Sequence, residues 1–197
     1  MYFYKKQILL LSFCLFPFIL FAESKPKEEN RIALKANSLV LLKIFNPSIE
    51  VKLLDKFSFQ LEAMGILQGE GFLGSDRPLS LGAGWVELRY YPKRVFKGFF
   101  FGGNAGWAAY RMNKGLHPTY TGVYKDKYQV GQNYMVGASA GFQYFINKHW
   151  GLELSAGGGY QSSRYEGFEK DGTQYVGWNG SGEILIYKVG LHIIFAY

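Results

Sequence analysis

After residue 22 no apolar stretch of this chain approaches the length of a membrane helix, and its hydrophobic residues are laid out instead at period two. Alternation of that kind puts successive side chains on opposite faces of an extended strand. From Trp150 the phase Trp150, Leu152, Leu154, Ala156, Tyr160 opposes Glu153, Ser155 and Gln161. Between Tyr134 and Tyr144 the phase Tyr134, Val136, Ala138, Ala140, Phe142, Tyr144 opposes Met135, Ser139 and Gln143. The last segment sets Leu185, Tyr187, Val189, Leu191, Ile193, Phe195 and Tyr197 against Ile186, Lys188, Gly190, His192 and Ile194.

Earlier strands are read at Ala33 to Phe45, Ile49 to Leu53, Phe57 to Leu67, Leu79 to Tyr91, and Phe99 to Met112, for a total of eight. A 197-residue chain with 25 glycines, 48% hydrophobic and 18% aromatic residues gives one all-β domain as the default. If such strands enter a membrane they must close on themselves, because open edges leave backbone groups unpaired in hydrocarbon. The expected fold is therefore an eight-stranded antiparallel up-and-down transmembrane β-barrel over residues 32–197.

The first 22 residues have signal-peptide anatomy: basic Lys5 and Lys6, an apolar run from Ile8 to Phe21 interrupted by Pro17, then Ala22. Residues 23–31 follow as a polar periplasmic tail. Cys14, the one cysteine, lies inside the run behind Phe13, where a lipoprotein signal would want a small residue. Cleavage near Ala22 leaves a mature chain without thiols, excluding disulfides, thiolate metal sites and a cysteine nucleophile. It also takes the formal charge from +7 to +5 by removing Lys5 and Lys6, and the remaining basic residues form no run that would point to nucleic acid.

Connection lengths sort in the way an up-and-down barrel requires, with short periplasmic turns and longer outer loops. Leu54 to Lys56, Pro92 to Gly98 and Ile146 to His149 are short, whereas 68–78, 113–127 and 166–182 are long; only Asn46-Pro47-Ser48 breaks the rule. Three same-face aromatic pairs, Trp150 with Tyr160, Tyr134 with Tyr144, and Tyr187 with Tyr197, lie ten residues apart. Ten tilted strand residues rise about 25 Å, the height of the lipid-facing band between aromatic girdles.

The polar phase carries Lys35, Lys43, Lys52, Arg89 and Lys188 with Glu50, Glu62, Glu87 and Glu153. Each Lys or Arg turned to the lipid midplane would cost about 2 to 4 kcal/mol, so that face must be the lumen. Eight strands leave a bore that side chains fill. Glu50, Glu62, Glu87 and Glu153 are therefore expected to interlock with Lys52, Arg89 and Lys188 and to plug the barrel.

From Lys35 to Gly106 the chain resembles small OmpA/OmpX-like barrels, and within them a Gram-negative outer-membrane barrel family of unknown function. The resemblance lies in Lys35-Ala-Asn37, Asn46-Pro-Ser-Ile-Glu-Val51, Lys56-Phe-Ser-Phe59, Glu87-Leu-Arg-Tyr-Tyr91 and Phe96-Lys-Gly-Phe-Phe100. It implies location in the cell outer membrane, contact with membrane lipid and lipopolysaccharide, and no activity to transfer. Lys188, Gly190, Ile193, Phe195 and Tyr197 look like the assembly signal read by the barrel-insertion machinery. The chain ends at Tyr197, so no peptidoglycan-binding domain is expected after the barrel.

The sequence carries no recognised catalytic, metal or cofactor motif. The histidine triplets His117-Pro-Thr, His149-Trp-Gly and His192-Ile-Ile lack the His-x-Ser of a lipid A deacylase. His192 reads as an interior residue, while His117 with Asp126 leaves open an acid/base pair at the rim. Gly157 to Gly159 reads as close packing rather than a phosphate cradle. Tyr120, Tyr124, Phe168, Tyr175 and Trp178 in the long loops fit either an extracellular ligand or packing on lipopolysaccharide. The expected role is structural or surface interaction. Its rivals are an envelope-lipid enzyme and a soluble lipocalin-like barrel, which would reverse the faces.

Overall fold

The computed structural model describes residues 30–68, 79–113 and 127–197. The expected signal peptide and most of the expected tail, nearly all of the segments 68–78 and 113–127 read as loops, and with them His117, Tyr120, Tyr124 and Asp126, lie outside these residues. The described residues form nine strands: β1 Ile32–Asn37, β2 Ile44–Phe45, β3 Pro47–Leu54, β4 Phe57–Gln68, β5 Leu79–Tyr90, β6 Gly98–Asn113, β7 Lys127–Phe145, β8 Trp150–Glu169 and β9 Gln174–Ala196. All pair antiparallel. The order β4-β3-β1-β9-β8-β7-β6-β5 closes through β5 onto β4, giving a ring of eight, with β2 paired to β4 beyond β3. No helix among the described residues is long and apolar enough to cross a membrane.

The first strand is shorter than the sequence reading of Ala33 to Phe45. It stops at Asn37, whose side chain accepts from the Leu39 N–H and opens a 3-10 turn over Ser38–Leu42. Lys43 ends that turn in the left-handed region at φ 62° and reverses the chain. Ile44 and Phe45 then pair with Ile66 and Gly65, in the same register in which Ser48 meets Glu62. Asn46-Pro47-Ser48 is thus part of a strand, not a connection: β2 and β3 are two pieces of one strand. The missing connection at the long-loop end is the 3-10 turn, whose apolar run Leu39-Val40-Leu41-Leu42 imitates strand composition.

The span 166–182 also differs from its reading as a loop. β8 and β9 continue through it to a tight turn at 170–173, so that Phe168, Tyr175 and Trp178 stand on strands. Gly172 supplies the positive φ of that turn, and Asp171 accepts from the Thr173 N–H at 2.9 Å. This hydrogen bond holds the Asp171 carboxyl below its usual range.

Short turns close the opposite end. Asn147 accepts from the N–H groups of His149 and Trp150, fixing the β7–β8 turn. The β5–β6 turn folds back beneath the ring, where the Val95 N–H donates to the Asp55 carbonyl at 2.9 Å. Val95 and Phe96 there join Ala33, Tyr91, Phe100, Ile194 and Ala196 in an apolar cluster at this end. A second cluster is built on Trp85, Ala108 and Met135, with Met64, Ala83 and Tyr187 against it. A third holds Ile44, Ile66 and Leu79 beside Leu39.

Candidate functional site: a buried ionic layer

Between the first two clusters the inward phase changes from apolar to charged. Along β4 the inward residues run Ser58, Gln60, Glu62, Met64, Ile66, and along β5 they run Arg89, Glu87, Trp85, Ala83, Leu81. Burying each carboxylate is costly unless a cation and hydrogen-bond donors meet it.

Arg89 on β5 is the hub. Its Nε donates to Glu87 at 2.6 Å, its Nη1 to Glu153 at 2.9 Å and to Glu50 at 3.2 Å, and its Nη2 to the second Glu153 oxygen at 3.2 Å. The guanidinium plane also lies 4.0 Å from the centroid of the Phe100 ring. Lys35 on β1 bridges Glu50 and Glu153 and donates to Gln60 at 2.9 Å. Lys188 on β9 bridges Glu62 at 2.8 Å and Glu87. β9 and β5 stand opposite one another in the ring, so Lys188 can reach Glu87 only across its middle.

Neutral groups complete the shell of acceptors. Glu50 accepts from Ser58, from the Tyr91 hydroxyl at 2.6 Å and from Gln143 at 3.1 Å; Gln143 also donates to Glu153 at 2.6 Å. The Ser139 hydroxyl donates to Glu87 at 2.9 Å. Arg89, Glu50, Glu87 and Glu153 are all 1% exposed or less.

Six of the seven sequence-predicted lumen residues, Glu50, Glu62, Glu87, Arg89, Glu153 and Lys188, meet in this layer. Lys52 does not. It sits next to a short turn and pairs with Asp55 at 3.0 Å near solvent. Lys35 takes the central place instead, with Gln60, Gln143 and Tyr91, none of which was in the expected interlock. Position in the inward phase was the available signal for Lys35, Gln60 and Gln143. Tyr91 gave none, since an aromatic before Pro92 reads as part of a rim. His192 lies inside as expected, its Nδ1 3.8 Å from Glu153, and neither ring nitrogen has a hydrogen-bond partner among the described residues.

On the outer face Tyr134, Tyr144, Trp150, Tyr160 and Tyr197 are all exposed. Tyr187 corrects the girdle. The register shifts from Gly157↔Lys188 to Gly158↔Ile186, so a bulge at Tyr187 reverses the phase of β9 upstream. Tyr187 turns inward and donates to Asn104 at 2.7 Å, while Ile184 and Ile186 face outward. Of the residues expected to form an assembly signal, Lys188 belongs to the ionic layer, Gly190 lies against His192 and Asn37, and Ile193 faces out. Phe195 is covered by Trp150, with ring centroids 5.0 Å apart. Among the described residues no three His, Cys, Asp or Glu side chains are grouped to hold a metal ion.

Fold and site together define an all-β protein: an antiparallel ring of eight strands cross-linked through its centre by buried ion pairs. The model of DUF3575, described as a protein of unknown function, matches residues 10–197, and the chain belongs to that family. No curated protein matches it.

Proposed function

We propose that this protein is an OmpA/OmpX-like β-barrel of the outer membrane with a plugged interior and a structural or surface-interaction role. The observation that carries this reading is the inverted distribution of side chains. Leu61, Leu88, Phe101, Val136, Leu154 and Ile193 are each about half exposed or more on the outer wall, while the charges fill the interior. A water-soluble ring would be expected to place these groups the other way round. A hydrocarbon solvent around the wall accounts for both faces at once.

The signal peptide brings the chain to the periplasm, the last strand carries the assembly signal, and the long β8–β9 hairpin with the two longer loops stands outside the cell. The test is membrane fractionation with a heat-modifiability gel. A detergent-requiring band that shifts on boiling is the expected result. A freely soluble protein would overturn the membrane reading in favour of a lipocalin-like one. Hydrolysis of lipid A or phospholipid that is lost on His117→Ala or Asp126→Ala would favour the envelope-lipid enzyme.

A further inference from the structure

We propose that the short-turn end of the ring is a basic collar that holds anionic phospholipids of the adjoining leaflet by their phosphate groups; this inference rests on the membrane reading above. Every corner at that end carries an exposed cation. Arg31 precedes β1, Lys56 lies in the β3–β4 turn, Lys93, Arg94 and Lys97 in the β5–β6 turn, and Lys148 in the β7–β8 turn. Among the described residues of these corners Asp55 is the one acidic side chain, and it is paired with Lys52. At the other end the described charges are mixed: Lys43, Arg111, Lys127, Arg164 and Lys170 alternate with Glu166, Glu169, Asp171 and Glu183.

Three features favour a lipid surface over a protein partner. The cations recur every second strand around the whole ring, as a surrounding leaflet requires, whereas a protein would meet one side. They lie just beyond the outward aromatics Phe57, Tyr90, Phe99, Tyr144 and Trp150, the level at which headgroups begin. The turns are also held in place. The Tyr91 N–H donates to Lys56, the Ala196 N–H to His149, and the Asn30 side chain to the Lys148 carbonyl, so little ordering is lost when phosphates bind. Juxtamembrane Lys and Arg at an anionic surface are favourable, and the attraction weakens with salt.

The test uses the full-length folded protein in phosphatidylcholine bilayers, with spin-labelled phosphatidylglycerol or phosphatidylcholine as probe. Electron spin resonance then gives the fraction of each lipid immobilised on the protein wall. The expected result is a preference for phosphatidylglycerol of about fivefold that falls toward unity in high salt. The combined change Lys56→Gln, Lys93→Gln, Lys97→Gln and Lys148→Gln, which leaves Arg31 and Arg94, lowers the preference by at least about half, whereas Lys43→Gln with Lys170→Gln leaves it unchanged; no fall in the fourfold variant overturns the collar. Equal immobilisation of the two lipids by the unaltered protein overturns the collar and leaves the membrane reading standing. Absence of any immobilised lipid overturns both.

Discussion

Arg89 supplies donors to three of the four buried glutamates, each of which has one lysine besides: Lys35 for Glu50 and Glu153, Lys188 for Glu87. Arg89→Ala is expected to destabilise the folded protein by about 3–5 kcal/mol, since two lysines would then face four buried carboxylates. Urea unfolding of protein reconstituted in lipid vesicles measures it. Lys52→Ala is the matched comparison: the side chain is partly exposed and paired near solvent, and the change should stay within about 0.5 kcal/mol. The inward phase made most of this layer legible in the sequence, because charge on an otherwise apolar alternation has one affordable side. Choosing between Lys35 and Lys52 was beyond it. Both share that phase, and what separates them is depth along the axis, fixed by the pairing of Lys35 with Ser48 and by the shift after Lys52.

At the scale of the strand, composition and alternation located β4, β5, β6 and the lower halves of β7, β8 and β9. They failed where local backbone chemistry intervenes. The Asn37 cap and left-handed Lys43 bracket the apolar run Leu39-Val40-Leu41-Leu42 and turn it out of the strand, and the bulge at Tyr187 inverts a phase that looks regular when read alone. The bulge depends on close backbone approach. A Cβ on Gly137 would stand 2.2 Å from the Gly158 carbonyl oxygen and 2.5 Å from the Tyr187 hydroxyl. Gly137→Ala should therefore cost about 1–3 kcal/mol, visible as a lower temperature for the heat shift on gels. The 170–173 turn makes no such demand. An epitope inserted between Asp171 and Gly172 is expected to leave folding intact and to bind antibody on whole cells; binding only after permeabilisation would reverse the proposed orientation.

Taken as a whole molecule, the ionic layer is bounded along the axis by side chains that water has little reason to enter. The apolar cluster around Phe100 closes one side and the Trp85 cluster the other. Planar-bilayer recording of the purified protein should accordingly show no large, stable single-channel conductance. A persistent open level would mean that the ionic pairs part to admit a water file.

Closure of the ring depends on a short seam, β1 against β9, with no more pairs than join β1 to β3. Only Ala33 to Asn37 pair with His192 to Ala196, whereas β7 and β8 run side by side from Lys127↔Glu169 to Phe145↔Gly151. The two segments that fasten it come from the earliest and the latest described parts of the chain. A nascent copy therefore carries two raw strand margins until Ile193 and its neighbours have been synthesised, and has to be kept from sticking to other chains for that whole interval. Fastening last, with few pairs, makes this junction the natural place for the cylinder to unzip under load.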